Sequence, residues 1–271
     1  MNLIPAKASA RRLDVASLQG LSMIEQLRST IARMERPPGL EETGAALLGI
    51  AEVDAALGGG LGRGALHEIA ATSEPHIAAA SGFVLGLTRN ASSRKSIVWI
   101  AETMAHLESG VPFGSGLDEF GLAPEQMLIV SVNKPLDLLW AMEEALHCRA
   151  VGAVIGELRH ENIDAVALRR LSLAAAENSA LALLLRASPS NAASTAATRW
   201  IVGAAPSQPR YGPGLSRINA QLVRNRRGPL GSWLLEWNEK DECFVLASTH
   251  PQPLATPPVD RQAGALVRSV A

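Results

Sequence analysis

Reactive and metal-binding side chains are scarce in this chain. Its 271 residues hold two cysteines, Cys148 and Cys243, which form no CxxC pair. That excludes a disulfide framework and fits a reducing compartment. Six histidines are scattered, none at ligand spacing from another His or Cys, so no metal centre is expected. Lys7, Arg11 and Arg12 are followed by no long apolar run, which argues against a signal peptide. No apolar stretch approaches bilayer-spanning length, so a cytoplasmic protein without membrane contact is expected. A surplus of charge is also missing. With 25 Lys+Arg against 26 Asp+Glu, any grip on nucleic acid must come from a local patch. What is present, 47% hydrophobic and 19% charged residues, is an ordinary globular balance. The length suits one sizeable domain with appendages or two small ones.

Three segments are expected: an N-terminal helical segment and linker (1–46), a core domain (47–249) and a flexible C-terminal tail (250–271). Ser22-Met23-Ile24-Glu25 reads as a capping box. Ile24, Leu27, Ile31 and Met34 then form one apolar stripe on a helix that ends before Pro37-Pro38-Gly39. The stripe packs on its own core or docks on another subunit. In the core, strands at 65–70, 96–101, 127–132, 151–156 and 181–185 alternate with helices at 76–89, 135–148 and 162–177. Continuous apolar strands between helices predict an α/β fold with a mostly parallel sheet covered on both faces. Strands at 200–204, 217–224, 232–237 and 243–247 follow without helices, which predicts an antiparallel extension. Of the five tryptophans, Trp200, Trp233 and Trp237 fall on these late strands and are expected in the core. The tail joins PQPLATPP to the weakly apolar Ala265–Val270.

The glycine cluster Gly58–Gly64 precedes a strand and so is not a dinucleotide fingerprint, which must follow one. The next turn is the informative one. A phosphate loop there needs GxxxxGK[ST], with glycines for backbone approach, Lys for charge and Ser/Thr for Mg²⁺. The chain has Ala71-Thr72-Ser73-Glu74-Pro75-His76-Ile77-Ala78, without Lys, with an acid at Glu74 and with Pro75 lacking an N–H.

Leu48–Ala70 (LGIAEVDAALGGGLGRGALHEIA) resembles the lead-in to the phosphate loop of RecA-like proteins. Aligned there, Ala71 and His76 stand at the loop's glycines and Ile77 at its lysine. The resemblance puts Glu102, in Ile97–Gly110, at the water-activating glutamate. Glu157, in Ala150–Leu158, falls at the Mg²⁺-linked aspartate, and Arg186 near the γ-phosphate sensor. Arg217–Gly231 (RINAQLVRNRRGPLG) is similar to a late strand with a basic turn. The two DNA-lining loops of RecA proteins shrink here to Leu158–Glu161 and Ala187–Thr198. The pattern is identified as that of the ImuA family, RecA-like accessory proteins of SOS mutagenesis with a degenerate Walker A loop. The resemblance implies a non-catalytic adaptor in translesion synthesis. It would bind ImuB, and RecA or a second copy of itself, and act on an error-prone DnaE-type polymerase indirectly. The alternatives are a SulA-like cell-division inhibitor and an ATP-dependent RecA-type DNA-binding protein.

No catalytic residue and no cofactor are expected, with Glu102 and Glu157 as remnants and His67 and His76 as structural or surface histidines. Arg217, Arg224, Arg226 and Arg227 form the densest basic cluster. It reads as a weak phosphate-backbone contact, an acidic-partner contact or a solvated turn. Ile24, Leu27, Ile31 and Met34 are the docking candidates at one end, with Leu266 and Val267 at the other.

Overall fold

The computed structural model describes residues 44–91, 95–159, 163–207 and 215–247. The stripe Ile24, Leu27, Ile31 and Met34, and Leu266 and Val267, lie outside them. In chain order come β1 (Ala45–Ala46), α1 (Ala51–Ala56), β2 (Leu61–Gly62), β3 (Ala65–Ala71), a 3₁₀ turn (Glu74–His76) and α2 (Ile77–Ala91). Next are β4 (Ser96–Glu102), α3 (Thr103–Ser109), α4 (Gly114–Glu119), a second 3₁₀ turn (Pro124–Gln126), β5 (Met127–Val132) and α5 (Pro135–His147). Then follow β6 (Val151–Leu158), α6 (Ala165–Asn178), β7 (Leu181–Arg186), β8 (Thr198–Ala205), β9 (Arg217–Asn225), β10 (Gly231–Asn238) and β11 (Cys243–Leu246).

Nine strands form one sheet in the order β11-β10-β9-β8-β3-β7-β6-β4-β5. From β8 to β5 neighbours run parallel, whereas β9, β10 and β11 add in antiparallel fashion beside β8. The chemistry of each strand explains its place. β3, β6 and β7 are buried along almost their whole length because helices cover both faces. β9 alternates buried and exposed residues, as a strand with one wet face must. On one face α2 packs its Phe83 over Trp99, Trp200 and Leu185. On the other, α5 and α6 bury Leu138, Met142, Leu168 and Leu171 against Val98, Val154 and Leu184. Gly86 permits the close seat of α2, because a Cβ there would collide with the Phe244 ring.

The parallel core and its antiparallel extension match the sequence expectation. Trp200 and Trp237 are buried and Trp233 is half-buried against the core. Three details differ. The helix expected from residue 76 begins at Ile77, after a 3₁₀ turn. The helix expected from 162 begins at Ala165, capped by the Asp164 side chain, which accepts from the Val166 N–H. Finally, α3, α4 and the β1–β2 pair were not anticipated, because elements of two to seven residues are too short to display a period.

Candidate functional site

At the carboxyl end of β3 the chain makes the turn where a parallel sheet would hold phosphate. Here three of the turn's N–H groups are already engaged. The Thr72 N–H donates to the Val202 carbonyl at 2.8 Å and the His76 N–H to Ser73 at 2.9 Å. The Ile77 N–H donates to Glu74, and Pro75 has none to offer. The His76 ring ties the turn to β8, with Nδ1 accepting from the Ala204 N–H at 3.0 Å. Ile77, at the position a lysine would take, is buried in the core. His76 is thus a structural brace.

Next to it, Glu157 is the penultimate residue of β6, and Arg159, two positions along and just past the strand, falls on the same face. The Glu157 carboxylate accepts from Trp99 Nε1–H at 3.2 Å and pairs with Arg159 Nη2 at 3.0 Å. The two side chains are 6% and 1% exposed, so this is a buried ion pair. Arg159 also donates to the Ser109 hydroxyl, while its Nε has no acceptor among the described residues. The carboxylate that resemblance puts beside a metal is therefore engaged by an internal guanidinium. Among the described residues no group of three or more His, Cys, Asp or Glu could hold a metal ion. Glu102 ends β4 just before α3, half-buried.

Among the described residues His67 is the strongly shifted histidine. Burial, the largest cause, pushes it from 6.5 down to about 4; the Gly62 carbonyl pulls it up and Arg227 pushes it down further. Gly62 O can only accept, so Nε2 carries the proton and donates to it at 2.8 Å. Nδ1 then accepts from the Thr198 hydroxyl at 2.8 Å, whose oxygen also accepts from Trp200 Nε1–H at 3.0 Å. His67 is a neutral strut between the glycine turn and β8.

On the opposite face lies a basic cluster. Glu68 is buried on β3, accepting from the Ser194 hydroxyl at 2.5 Å and from Arg199 Nε at 2.8 Å. The remaining Arg199 donors reach the Ser190 and Ala192 carbonyls and so hold the loop 187–197 against the sheet. Arg224 stands opposite Arg199 in the β8–β9 register. Burial lowers the pKa of Arg224, and Arg226 and Arg199 lower it further, against the pull of Glu68. Burial likewise lowers Arg186, with Glu68 opposing and Arg199 adding. The cluster thus joins Arg224 and Arg226 to Arg199 and Arg186, which no sequence spacing connects.

Two of the arginines grouped by sequence behave differently. Arg227 turns back onto the end of α1, donating to the Gly58 carbonyl at 3.2 Å. Asn225 Nδ2 donates to Ala56 O at 2.7 Å, and a side chain at Gly228 would strike that same carbonyl. The grouping of Arg217 with the turn is corrected by the length of β9. Seven residues separate Arg217 from Arg224, roughly 23 Å of strand. Arg217 instead pairs with Glu236 on β10 at 2.6 Å.

Between α2 and α4, above the carboxyl end of the sheet, lies a cleft of about 760 Å³. Its walls include Ile77, Ser81, Phe120, Trp237 and Phe244, and Glu157. Phe120 packs against Trp237 with ring centroids 4.6 Å apart, and Trp237 meets Phe244 edge-on at 4.8 Å. No spacing rule announced this cleft, since its walls come from residues more than 160 positions apart.

Among solved structures, the crystal structure of the RadB recombinase is similar to this chain, with a TM-score of 0.54 at 15% identity. The likeness covers 75% of this chain and 100% of that one. The fold is RecA-like. No protein-family profile matches the chain, and none of the curated proteins does. Among the described residues no helix is long and apolar enough to cross a membrane.

Proposed function

We propose that this RecA-like chain is a non-catalytic adaptor of DNA-damage-induced translesion synthesis, of the ImuA type. The observation that carries the reading is the closed phosphate position. The N–H groups of Thr72, His76 and Ile77 are already engaged, Ile77 fills the position that the resemblance gives to a lysine, and Arg159 pairs with Glu157. A nucleotide would have to displace all three. A core without a nucleotide acts through what it binds.

Two surfaces support the adaptor role. β5 pairs only with β4 among the described residues and so leaves one sheet edge open. Beside that edge Leu128, Leu136 and Trp140 are exposed, the last at 63%. An open edge with apolar flanks takes an added segment of another chain. We assign it to the N-terminal segment of a second RecA-like subunit, RecA itself or another copy, as the mode of RecA-type assembly implies. In the reciprocal contact the stripe Ile24, Leu27, Ile31 and Met34 reaches the partner. Leu266 and Val267 are assigned to ImuB, and through it to the DnaE-type polymerase. The cluster Arg186, Arg199, Arg224 and Arg226 provides a weak contact to DNA phosphate or to an acidic partner.

The test has two arms. Purified protein releases no phosphate from ATP above background, with or without DNA, and Ile77→Lys alone does not restore release. In a pull-down from DNA-damaged cells, ImuB and RecA are recovered. A DNA-stimulated ATPase that disappears in Glu102→Ala refutes the non-catalytic reading. Recovery of the division protein FtsZ in place of ImuB selects a SulA-like inhibitor instead.

A further inference from the structure

The aromatic cleft between α2 and α4 is used by no part of the adaptor reading. Glu157, the carboxylate in its lining, is already paired with Arg159. The walls are apolar, and at the rim Val111 and Phe113 are exposed, Phe113 at 76%. Such a concave surface binds apolar side chains. Among the described residues, four exposed acids lie in or beside its lining segments. Glu74 precedes α2, Glu108 precedes the lining Ser109, and Asp118 and Glu119 end α4. All four are exposed, and none has an ion pair among the described residues. Arg217, the arginine on the wall, is already paired with Glu236. The cleft therefore suits an apolar peptide carrying positive charge.

Such a peptide is part of this chain. Residues 261–271, RQAGALVRSVA, hold Arg261 and Arg268 with Leu266, Val267 and Val270, and no acid. The preceding strand is β11, whose Phe244 forms part of the cleft wall. The described chain leaves β11 at Ala247, where the N–H donates to Leu234 O. The stretch 248–260 then provides a spacer with Pro251, Pro253, Pro257 and Pro258. Extended at about 3.1 Å per residue it spans roughly 40 Å. The way back to the cleft is only the length of β11, four residues or about 13 Å. A tethered segment acts at an effective concentration on the order of millimolar, which favours it over any free peptide of similar fit. We infer that, when ImuB is not bound, residues 261–271 dock within their own chain, with Leu266, Val267 and Val270 in the cleft and Arg261 and Arg268 toward Glu74, Glu108, Asp118 and Glu119.

The experiment uses the full chain with Cys148→Ser, Cys243→Ser and Ser269→Cys, labelled with bimane at residue 269. Bimane fluorescence is quenched by a tryptophan in near contact. Quenching is expected, unchanged by dilution, lost in Trp237→Phe and kept in Trp140→Phe on the opposite helical face. Leu266→Asp, or Ser81→Arg in the cleft wall, should lower the docked population about tenfold. Circular dichroism and the thermal midpoint confirm that each variant stays folded. Quenching that fades on dilution means that a second copy supplies the segment, and overturns the proposal. So does quenching absent from the folded chain, or unaffected by Leu266→Asp and Ser81→Arg. The assay contains neither RecA nor ImuB, so its outcome leaves the adaptor reading standing or falling on its own tests.

Discussion

Lowering the pH should destabilise this protein through His67. The imidazole is enclosed on β3, donates to Gly62 O and accepts from Thr198, and is held down to about 4 against 6.5 when free. The unfolded chain takes up a proton below pH 6.5, whereas the folded chain does not until near pH 4. The stabilisation is therefore complete above pH 6.5 and is lost progressively as pH falls toward 4. Linkage makes the loss about 2 kcal/mol between pH 7.5 and pH 5, and about 3 kcal/mol by pH 4. For a domain of marginal stability that is a large fraction of the whole. The window lies mostly above the ordinary carboxylate range, so Asp and Glu titration adds little to it. The assay is urea unfolding at pH 7.5 and pH 5, for the protein and for His67→Gln. The variant should be weaker at pH 7.5 but should lose about 2 kcal/mol less on acidification. An NMR titration supplies the direct check, with the His67 ring unchanged from pH 7.5 to 5. A ring titrating near 6.5, or equal acid loss in both proteins, refutes the reasoning.

Other outcomes follow from the buried pairs and the basic cluster. Arg159→Leu strands the Glu157 carboxylate and should cost about 3–5 kcal/mol in urea unfolding, with much of that recovered in the double variant Glu157→Leu, Arg159→Leu. Arg199→Met strands Glu68 and frees the loop 187–197, so it should cost about as much and speed proteolysis within that loop. Arg224→Glu with Arg226→Glu should abolish any salt-sensitive retention on DNA or on an acidic partner. Arg217→Gln should leave such retention intact, because Arg217 sits at the far end of β9. Deleting residues 1–38 should abolish binding to a RecA-like subunit, read by analytical ultracentrifugation.

The order of strands and helices was legible in the sequence because each depends on local pattern. Runs such as VGAVIGEL and LALLLR need helices on both faces, and RINAQLVRN alternates, so parallel core and antiparallel extension follow from neighbours in the chain. Even the lack of a lysine and of one N–H in the turn after β3 is a local property, since Pro75 has no N–H wherever it stands. Tertiary structure decided which groups meet. Arg159 reaches Glu157 across one strand end, and its position two residues along the chain was the available signal. Glu68 finds Arg199, and Arg186 joins Arg224, only because β3 lies between β7 and β8. Arg217 and Arg224 look like one cluster in the sequence and stand at opposite ends of one extended strand. Electrostatic pairing and cleft formation depend on distance in space, and long-range strand order sets that distance where residue spacing does not.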